Sequence, residues 1–569
     1  MKRMPHISIT NQGNGEARQR NEGGNWPMTN RMLVLVISWI VATVQCSGEN
    51  HPNVLLIIVD DLRPTLGIYG DQIAVTPAID SLAEDGVVFT NAHAQQALCA
   101  PSRTSFLTSR RPDSLHLYGT GPYWRTHAGN FTTIPQYFKE RGYYTASVGK
   151  VFHPGSISGH NDDYPLSWSQ RPYHPPSLRF ENAKVCPSRD GTLENDLLCA
   201  VNVSSQPDGT LPDIESAAFA STFLYHWAKR HSNVTDARFF LAVGFHKPHI
   251  PFRIPEEYLN MYPLPDISLA PDPTLPKGLP SVAWNPWMDL RKRPDVAALN
   301  ISFPYGPIPV TFQRRIRQHY YAAVSYIDDQ VDHLLRVLHK TMLGDNTIIA
   351  LLGDHGWSLG EHQEWAKYSN YQAATRTPLI VSFPPAQSRV YSPTKRKARD
   401  VRPRNLLHRG HVYIHEPVML LDLFPTLADA AGLPIPPPCH WTDVPEEKLT
   451  CTEGTSVLFP LGGRPLRLRR EIITQYPRPS AQPRWDSDQP KRDAINIMGY
   501  SVLSKEYRYA EWIKFNSSTC EKNWDTLYGR ELYDLQTDLM EDYNVADLPQ
   551  YASLVNWLSE RLKSIVSSL

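Results

Sequence analysis

The stretch NVLLIIVDD, residues 53–61, runs through six apolar residues and closes on two acids. Four of the six, Val54, Ile57, Ile58 and Val59, are β-branched. An unbroken apolar run, without polar alternation, predicts a strand covered on both faces, as in the centre of a parallel sheet. Asp60 and Asp61 then emerge at its carboxyl end. Similar runs recur at YYTASVG (143–149), FFLAVGF (239–245), TIIALLGD (347–354) and PLIVSF (378–383).

Helical patterns fill the gaps at 134–141, 213–229, 312–338 and 417–431. In the third, Phe312, Ile316, Tyr320, Val324, Ile327, Val331, Leu334 and Leu338 step by three and four. Strands alternating with helices predict an α/β fold, a large, mostly parallel sheet flanked by helices. Such sheets bind ligands at the carboxyl ends of their strands. Residues 384–416 are polar and basic and read as an exposed insertion, and 461–471 as a second basic joint. Strands over 500–515 and 531–535 and a helix over 549–566 predict a smaller α+β domain at 456–569. The larger domain is then 48–455.

The 569 residues are 41% apolar and 20% charged, the proportions of a globular chain. Lys+Arg and Asp+Glu are both 57, which argues against nucleic acid or an acidic membrane as a partner held by bulk charge. The fifty prolines imply long ordered loops. Residues 1–31 form a polar extension, and 32–47 read as a secretory signal behind Arg31. Its 13 apolar-type residues, Met32–Val44, fall short of the roughly 20 a membrane span needs. Met1, Met28 and Met32 are all candidate starts.

Secretion predicts disulfides and glycans. Cys186 lies close to Cys199 and Cys439 to Cys451, so local pairing is the simplest expectation, although spacing alone does not set connectivity. Cys46 leaves with the signal, and Cys520 has no evident partner. Sequons stand at Asn130, Asn202, Asn233, Asn300 and Asn516.

Two strand-terminal clusters, Asp60–Asp61 and Asp354–His355, can converge on one cation, since adjacent carboxylates otherwise repel. Turn or cap chemistry is the alternative. The oxygen-rich donor set argues for Ca²⁺ or Mg²⁺, with the imidazole less usual for either. Lys150, His153, His246, Lys247 and Lys367 each follow a strand or lie in the loop beyond it, which points to an anion pocket that Arg103 could join. Cys99 opens CAPSRTSFLTSRR (99–111), where a helix N-terminus would favour an anion. On these grounds it is either a disulfide partner or an activated nucleophile.

The C-x-P-S-R core at Cys99–Arg103, followed by LTSRR, resembles the signature of the sulfatases. So do VDDLRP, YTASVGKVFHPG, FLAVGFHKPHIPFR, PYGPIP, GDHGWSLGEHQEWAKYSNYQAATRTPLI, TQYPRPS and MGYSV, from about residue 52 onward. The resemblance implies an alkaline phosphatase-like fold. It implies that a formylglycine-generating enzyme oxidises Cys99 during maturation. Asp60, Asp61, Asp354, His355 and the modified Cys99 would hold Ca²⁺. Lys150, His246 and Lys367 would bind sulfate, Arg103 would brace the formylglycine, and His153 would be a base near its hydroxyl. One departure is Ser109, where the family usually has glycine.

In the mechanism so implied, formylglycine hydrates to a diol and one hydroxyl attacks sulfur. Basic groups stabilise the developing charge, and His246, with Lys367 beside it, protonates the leaving alkoxide. His153 then deprotonates the second hydroxyl, expelling sulfate. The nearest likeness within the family is to lysosomal enzymes that remove 2-O-sulfate from non-reducing-end iduronate of heparan and dermatan sulfate. Lys247, His249, Arg253 and Trp357 are candidate substrate contacts by motif position. The rivals are a sulfatase of another sulfated sugar, a two-zinc phosphodiesterase of the same superfamily, and a silent binder of sulfated glycans.

Overall fold

The computed structural model describes residues 51–567, apart from 189–190, 233, 235, 386, 388–411, 440–449 and 459–470. The extension at 1–31, the signal at 32–47, the sequon at Asn233 and most of the two basic segments lie outside the described residues.

The main sheet has eight strands: β1 (Asn53–Val59), β2 (Gly86–His93), β3 (Tyr144–Gly149), β4 (Phe239–Phe245), β5 (Thr347–Gly353), β6 (Arg376–Ser382), β7 (Val412–Ile414) and β8 (Val418–Met419). Their order is β7-β2-β6-β5-β1-β4-β3, with β8 also on β2. β1 pairs in parallel with β4 and β5, and β3 pairs in parallel with β4; β6 is antiparallel to both β5 and β2. β2 therefore runs in the same direction as β5 and ends at the same edge.

β1 is buried on both faces, because its alternate residues enter different cores. Leu55, Ile57 and Val59 pack with the long helices α2 (Pro212–His231) and α3 (Val310–Lys340). Val54, Leu56 and Ile58 pack on the other face with α1 (Cys99–Thr108) and α4 (Leu423–Ala430).

Two expectations need correcting. The segment read as an exposed insertion, 384–416, contributes a strand: Val412–Ile414 pairs with β2, and Ile414 is buried. The helix expected over 417–431 starts as strand β8 and a 3₁₀ turn, and only Leu423–Ala430 is α-helical. In both places pairing with β2 supplies hydrogen bonds that the local pattern did not announce. β2 itself, GVVFTNAH, was not among the strands expected.

Beyond the main sheet, β9 (Ile472–Arg478), β10 (Ile497–Leu503), β11 (Tyr507–Asn516) and β12 (Glu521–Asp534) form an antiparallel meander. The helix α5 (Ala552–Ser567) closes it through Val555, Leu558 and Leu562. Tyr476, Ile497 and Trp512 of the meander join the α2–α3 side of the main core. No helix among the described residues is long and apolar enough to cross a membrane.

Cys186 is bonded to Cys199 and Cys439 to Cys451. Among the described residues the free cysteines are Cys99, buried, and Cys520, half-buried. Asn130, Asn202, Asn300 and Asn516 are all exposed.

Candidate active site

Parallel register brings the acids and bases together. Val59 lies opposite both Phe245 and Gly353, so Asp60, His246 and Asp354 follow at one level on three neighbouring strands. Gly149 lies opposite Gly244 and delivers Lys150 to the same edge. That pair must be glycine. Gly149 has φ +70°, and a Cβ on it would come within 2.2 Å of the Gly244 carbonyl oxygen. β2 ends at the same edge, and after a short loop Cys99 starts α1, whose ten residues are all buried.

Cys99 Sγ sits 3.4 Å from His355 Nε2 and 3.0 Å from Lys367 Nζ, with Asp61 Oδ1 at 4.0 Å. Lys367 Nζ also donates to Asp61 Oδ1 at 2.6 Å, and Lys150 Nζ pairs with Asp60. Arg103, fully buried, spans the acids: Nη2 reaches Asp60 Oδ1 at 3.0 Å and Nε reaches Asp354 Oδ2 at 2.9 Å. A buried charge survives only when paired and hydrogen-bonded, which this network achieves for the guanidinium. Asp61 adopts φ 62°, a left-handed conformation held by Tyr320 Oη donating to its carbonyl at 2.7 Å.

The electrostatics are polarised. Burial works to raise the Asp60 carboxyl, yet Lys150 and Arg103 together hold it well below its usual range. Burial disfavours the Lys367 ammonium, but Asp61 above all holds its pKa well above the usual lysine value. Burial, then Asp60, push the Cys99 thiol up. A thiol so placed stays protonated at neutral pH, which argues against a thiolate nucleophile. The other described cysteines are bonded to each other or lie in the C-terminal meander, so no disulfide partner stands beside it.

The donor set fits a divalent cation. Ligand atoms of Asp60, Cys99, Asp354 and His355 all lie within 4.8 Å of one another, and Asp61 Oδ2 is buried with no hydrogen-bond partner. Converging carboxylates and an orphaned carboxylate oxygen are what a hard cation would satisfy.

His246 and His153 border this cluster. The His246 backbone N–H donates to Asp213 Oδ1 at 2.6 Å, and its ring Nδ1 lies 3.4 Å from the same oxygen. Burial, then Lys150, lower His153 to about 3, so its ring is a neutral base at any physiological pH. Of the four candidate substrate contacts, only His249 reaches the centre: one of its ring nitrogens lies within 4.8 Å of Asp61 and Cys99 ligand atoms. Lys247 instead staples its own loop, donating to the carbonyls of His249 and Pro251. Arg253 turns to the Phe180 carbonyl at 2.7 Å. Trp357 is fully buried and stacks on Tyr320 at 5.5 Å, so it backs the site from the core.

The roles of Asp213 and Tyr320 at the site were not read from the sequence. Asp213 opens α2, where an acid reads as a helix-dipole partner, and Tyr320 occupies a core position of α3. Ser102 is a third: its hydroxyl donates to the Asp354 carbonyl and ties α1 to β5.

Ser109 has a structural explanation. It ends α1 with φ 53°, the conformation that favours glycine. Its Oγ donates to the Leu421 carbonyl at 2.6 Å and accepts from Gly454 N–H at 3.1 Å. Two buried hydrogen bonds compensate for the backbone conformation that glycine would adopt freely.

A family model described as Sulfatase matches residues 52–433. The chain is 50% identical over 527 residues to iduronate 2-sulfatase of Mus musculus, covering 90% of this chain and 94% of the relative. It is 50% identical over 519 residues to iduronate 2-sulfatase of Homo sapiens, covering 89% and 93%. Among solved structures, a phosphonate monoester hydrolase of Agrobacterium radiobacter superposes with a TM-score of 0.62 at 22% identity, covering 91% of this chain and 96% of that one. That likeness carries the fold alone. With the signature at Cys99, the matched domain and relatives of this identity over nearly the whole chain, this protein belongs to the sulfatase family.

Proposed function

We propose that this sulfatase-family hydrolase removes 2-O-sulfate from non-reducing-end iduronate of heparan and dermatan sulfate, working in the lysosome after secretory-pathway maturation. The observation that carries the reading is the position of Cys99 Sγ, at a helix N-terminus and among Asp61, His355 and Lys367. The identity to the mouse and human iduronate 2-sulfatases supports the substrate.

Sulfatases are formylglycine-dependent, metal-binding hydrolases. In this reading Cys99 is converted to formylglycine, whose hydrated form supplies a hydroxyl nucleophile and a second hydroxyl for release. Asp60, Asp61, Asp354 and His355 would hold Ca²⁺, which supplies charge to lower a hydroxyl pKa and to draw in sulfate oxygens.

The chain's own groups do the rest. Arg103 locks Asp60 and Asp354 in position. Lys150 and Lys367, now neutralising aspartates, stand ready to bind the sulfate oxygens. Their charge is worth more here than in water because the site is buried. Asp213 accepts from the His246 backbone N–H and faces its ring at 3.4 Å, and that ring would deliver a proton to the leaving sugar oxygen. His153, neutral, takes a proton from the residue-99 side.

The test is turnover of 2-sulfated iduronate disaccharides by the purified, glycosylated protein, with a glucosamine 6-sulfate substrate as control. Mass spectrometry of the tryptic peptide carrying residue 99 runs alongside. Sulfate release from the control alone would move the protein to another sulfatase class. An unmodified thiol throughout would overturn the mechanism.

A further inference from the structure

Away from Cys99, three segments distant in sequence meet at His362. Asp272 lies in the proline-rich loop ahead of α3. His362 occupies a left-handed position (φ 57°) in the turn of the hairpin that leads to Lys367, and Asp542 follows the C-terminal meander. His362 Nε2 is 2.7 Å from the Met540 carbonyl oxygen, 3.0 Å from Asp272 Oδ2 and 3.8 Å from Asp542 Oδ1. One ring nitrogen thus faces three oxygens and has one proton to offer.

The Met540 carbonyl takes that hydrogen bond, and both oxygens of Asp272 are left buried with no hydrogen-bond partner. Asp272 is only 6% exposed. A buried carboxylate held only by a charge contact to an imidazole whose proton is directed elsewhere is expensive, and a cation would satisfy it. The neighbouring charges are already matched: Glu361 holds Arg63 at 2.8 Å, and Glu541 holds Arg508 at 2.6 Å. A cavity of about 160 Å³ opens beside Asp272, His362 and Met540. The backbone around it is pinned, by His362 N–H to the Asp272 carbonyl and Lys277 N–H to the Asp542 carbonyl, each at 2.8 Å.

We propose that Asp272, His362 and Asp542, with the Met540 carbonyl, form a second metal site that takes a divalent cation of the zinc class. One imidazole nitrogen with carboxylate and carbonyl oxygens is a borderline donor set, which suits Zn²⁺ better than Ca²⁺. The two carboxylates balance the ion's charge, and a cation serves at once every oxygen that a single N–H cannot. Its role is structural, clasping the C-terminal segment to the loop beneath the Lys367 hairpin. The site is independent of the reaction proposed at residue 99.

The full-length protein is saturated with Ca²⁺ and titrated with Zn²⁺ at about pH 8, since the imidazole must give up its proton to the ion. The expected result is one Zn²⁺ per chain, with affinity lowered at least about tenfold in Asp272→Asn and in His362→Gln. Asp542→Asn, at a partly exposed position that spares the fold, lowers it less. Co²⁺ provides a readout that needs no buried substitution: visible d–d bands that appear on the wild type, fade with added Zn²⁺ and weaken in Asp542→Asn. Absence of those bands, or equal Zn²⁺ binding by wild type and all three variants, would overturn the proposal and leave an Asp–His ion pair only.

Discussion

Ser109→Gly restores the residue the family usually carries at the end of α1, and the structure says it should nevertheless destabilise this protein. Glycine relieves the left-handed conformation at φ 53°, a gain of about 1 kcal/mol. It also deletes the hydroxyl that bonds the Leu421 carbonyl and the Gly454 N–H. Ser109 is fully buried, so a lost partner is not replaced by solvent, and each unsatisfied group costs about 1–3 kcal/mol. With two groups left unpaired and about 1 kcal/mol regained, the balance is a net loss of about 1–5 kcal/mol. Ser109→Ala loses the same bonds and keeps the strained backbone, so it should fall about 1 kcal/mol lower still. Urea unfolding followed by tryptophan fluorescence ranks the three proteins, with wild type first, then glycine, then alanine. Mass spectrometry of residue 99 in each separates folding from conversion. A glycine variant as stable as wild type would refute the reasoning, because the two hydrogen bonds would then do no more than offset the roughly 1 kcal/mol of backbone relief.

Cys99→Ser should show no sustained turnover, since a single hydroxyl can accept sulfate but cannot expel it; steady multiple turnover in a sulfate-release assay counts against the aldehyde mechanism. Asp213→Asn should leave KM nearly unchanged and lower kcat by up to about a hundredfold, because it loosens His246 without removing it; an equal loss in KM would mean that Asp213 serves binding instead. The contribution of Asp488 to stability should decline as pH rises from about 5 to about 8. Burial, then Asp289 beside it, push the Asp488 carboxyl up to about 8 in the folded chain. The native state therefore holds a proton that the unfolded chain releases near pH 4, and this contribution is present in acid and lost as pH climbs through the folded value. Urea unfolding at the two pH values checks it, and Asp488→Asn should flatten the dependence.

Much of this site could be read in the chain because its parts are local patterns. Asp60–Asp61 and Asp354–His355 announce themselves as acids closing apolar runs, and Lys150 and His246 follow strands in the same manner. Ser109 also stood out, although only its contacts with Leu421 and Gly454 explain it. Asp213 could not be found, because an acid opening a helix is ordinary. Tyr320 looked like any core residue of α3, and Trp357 looked exposed to substrate by motif position yet lies at 0% exposure behind the site.

Five of the eight main-sheet strands, the long helices between them and the Cys99 signature are legible in the chain, and the cysteine spacing makes the two local disulfides the simplest expectation. Each of these depends on periodicity or on residues a few positions apart. Which of the charged residues meet depends on strand register across the whole sheet. Register between β1, β4 and β5 sets Asp60, His246 and Asp354 at one level, although they are separated by hundreds of residues. The tertiary structure also decided what those groups become. Burial raises the Cys99 thiol and orphans Asp61 Oδ2 and both oxygens of Asp272, and desolvation depends on neighbours from every layer of the fold.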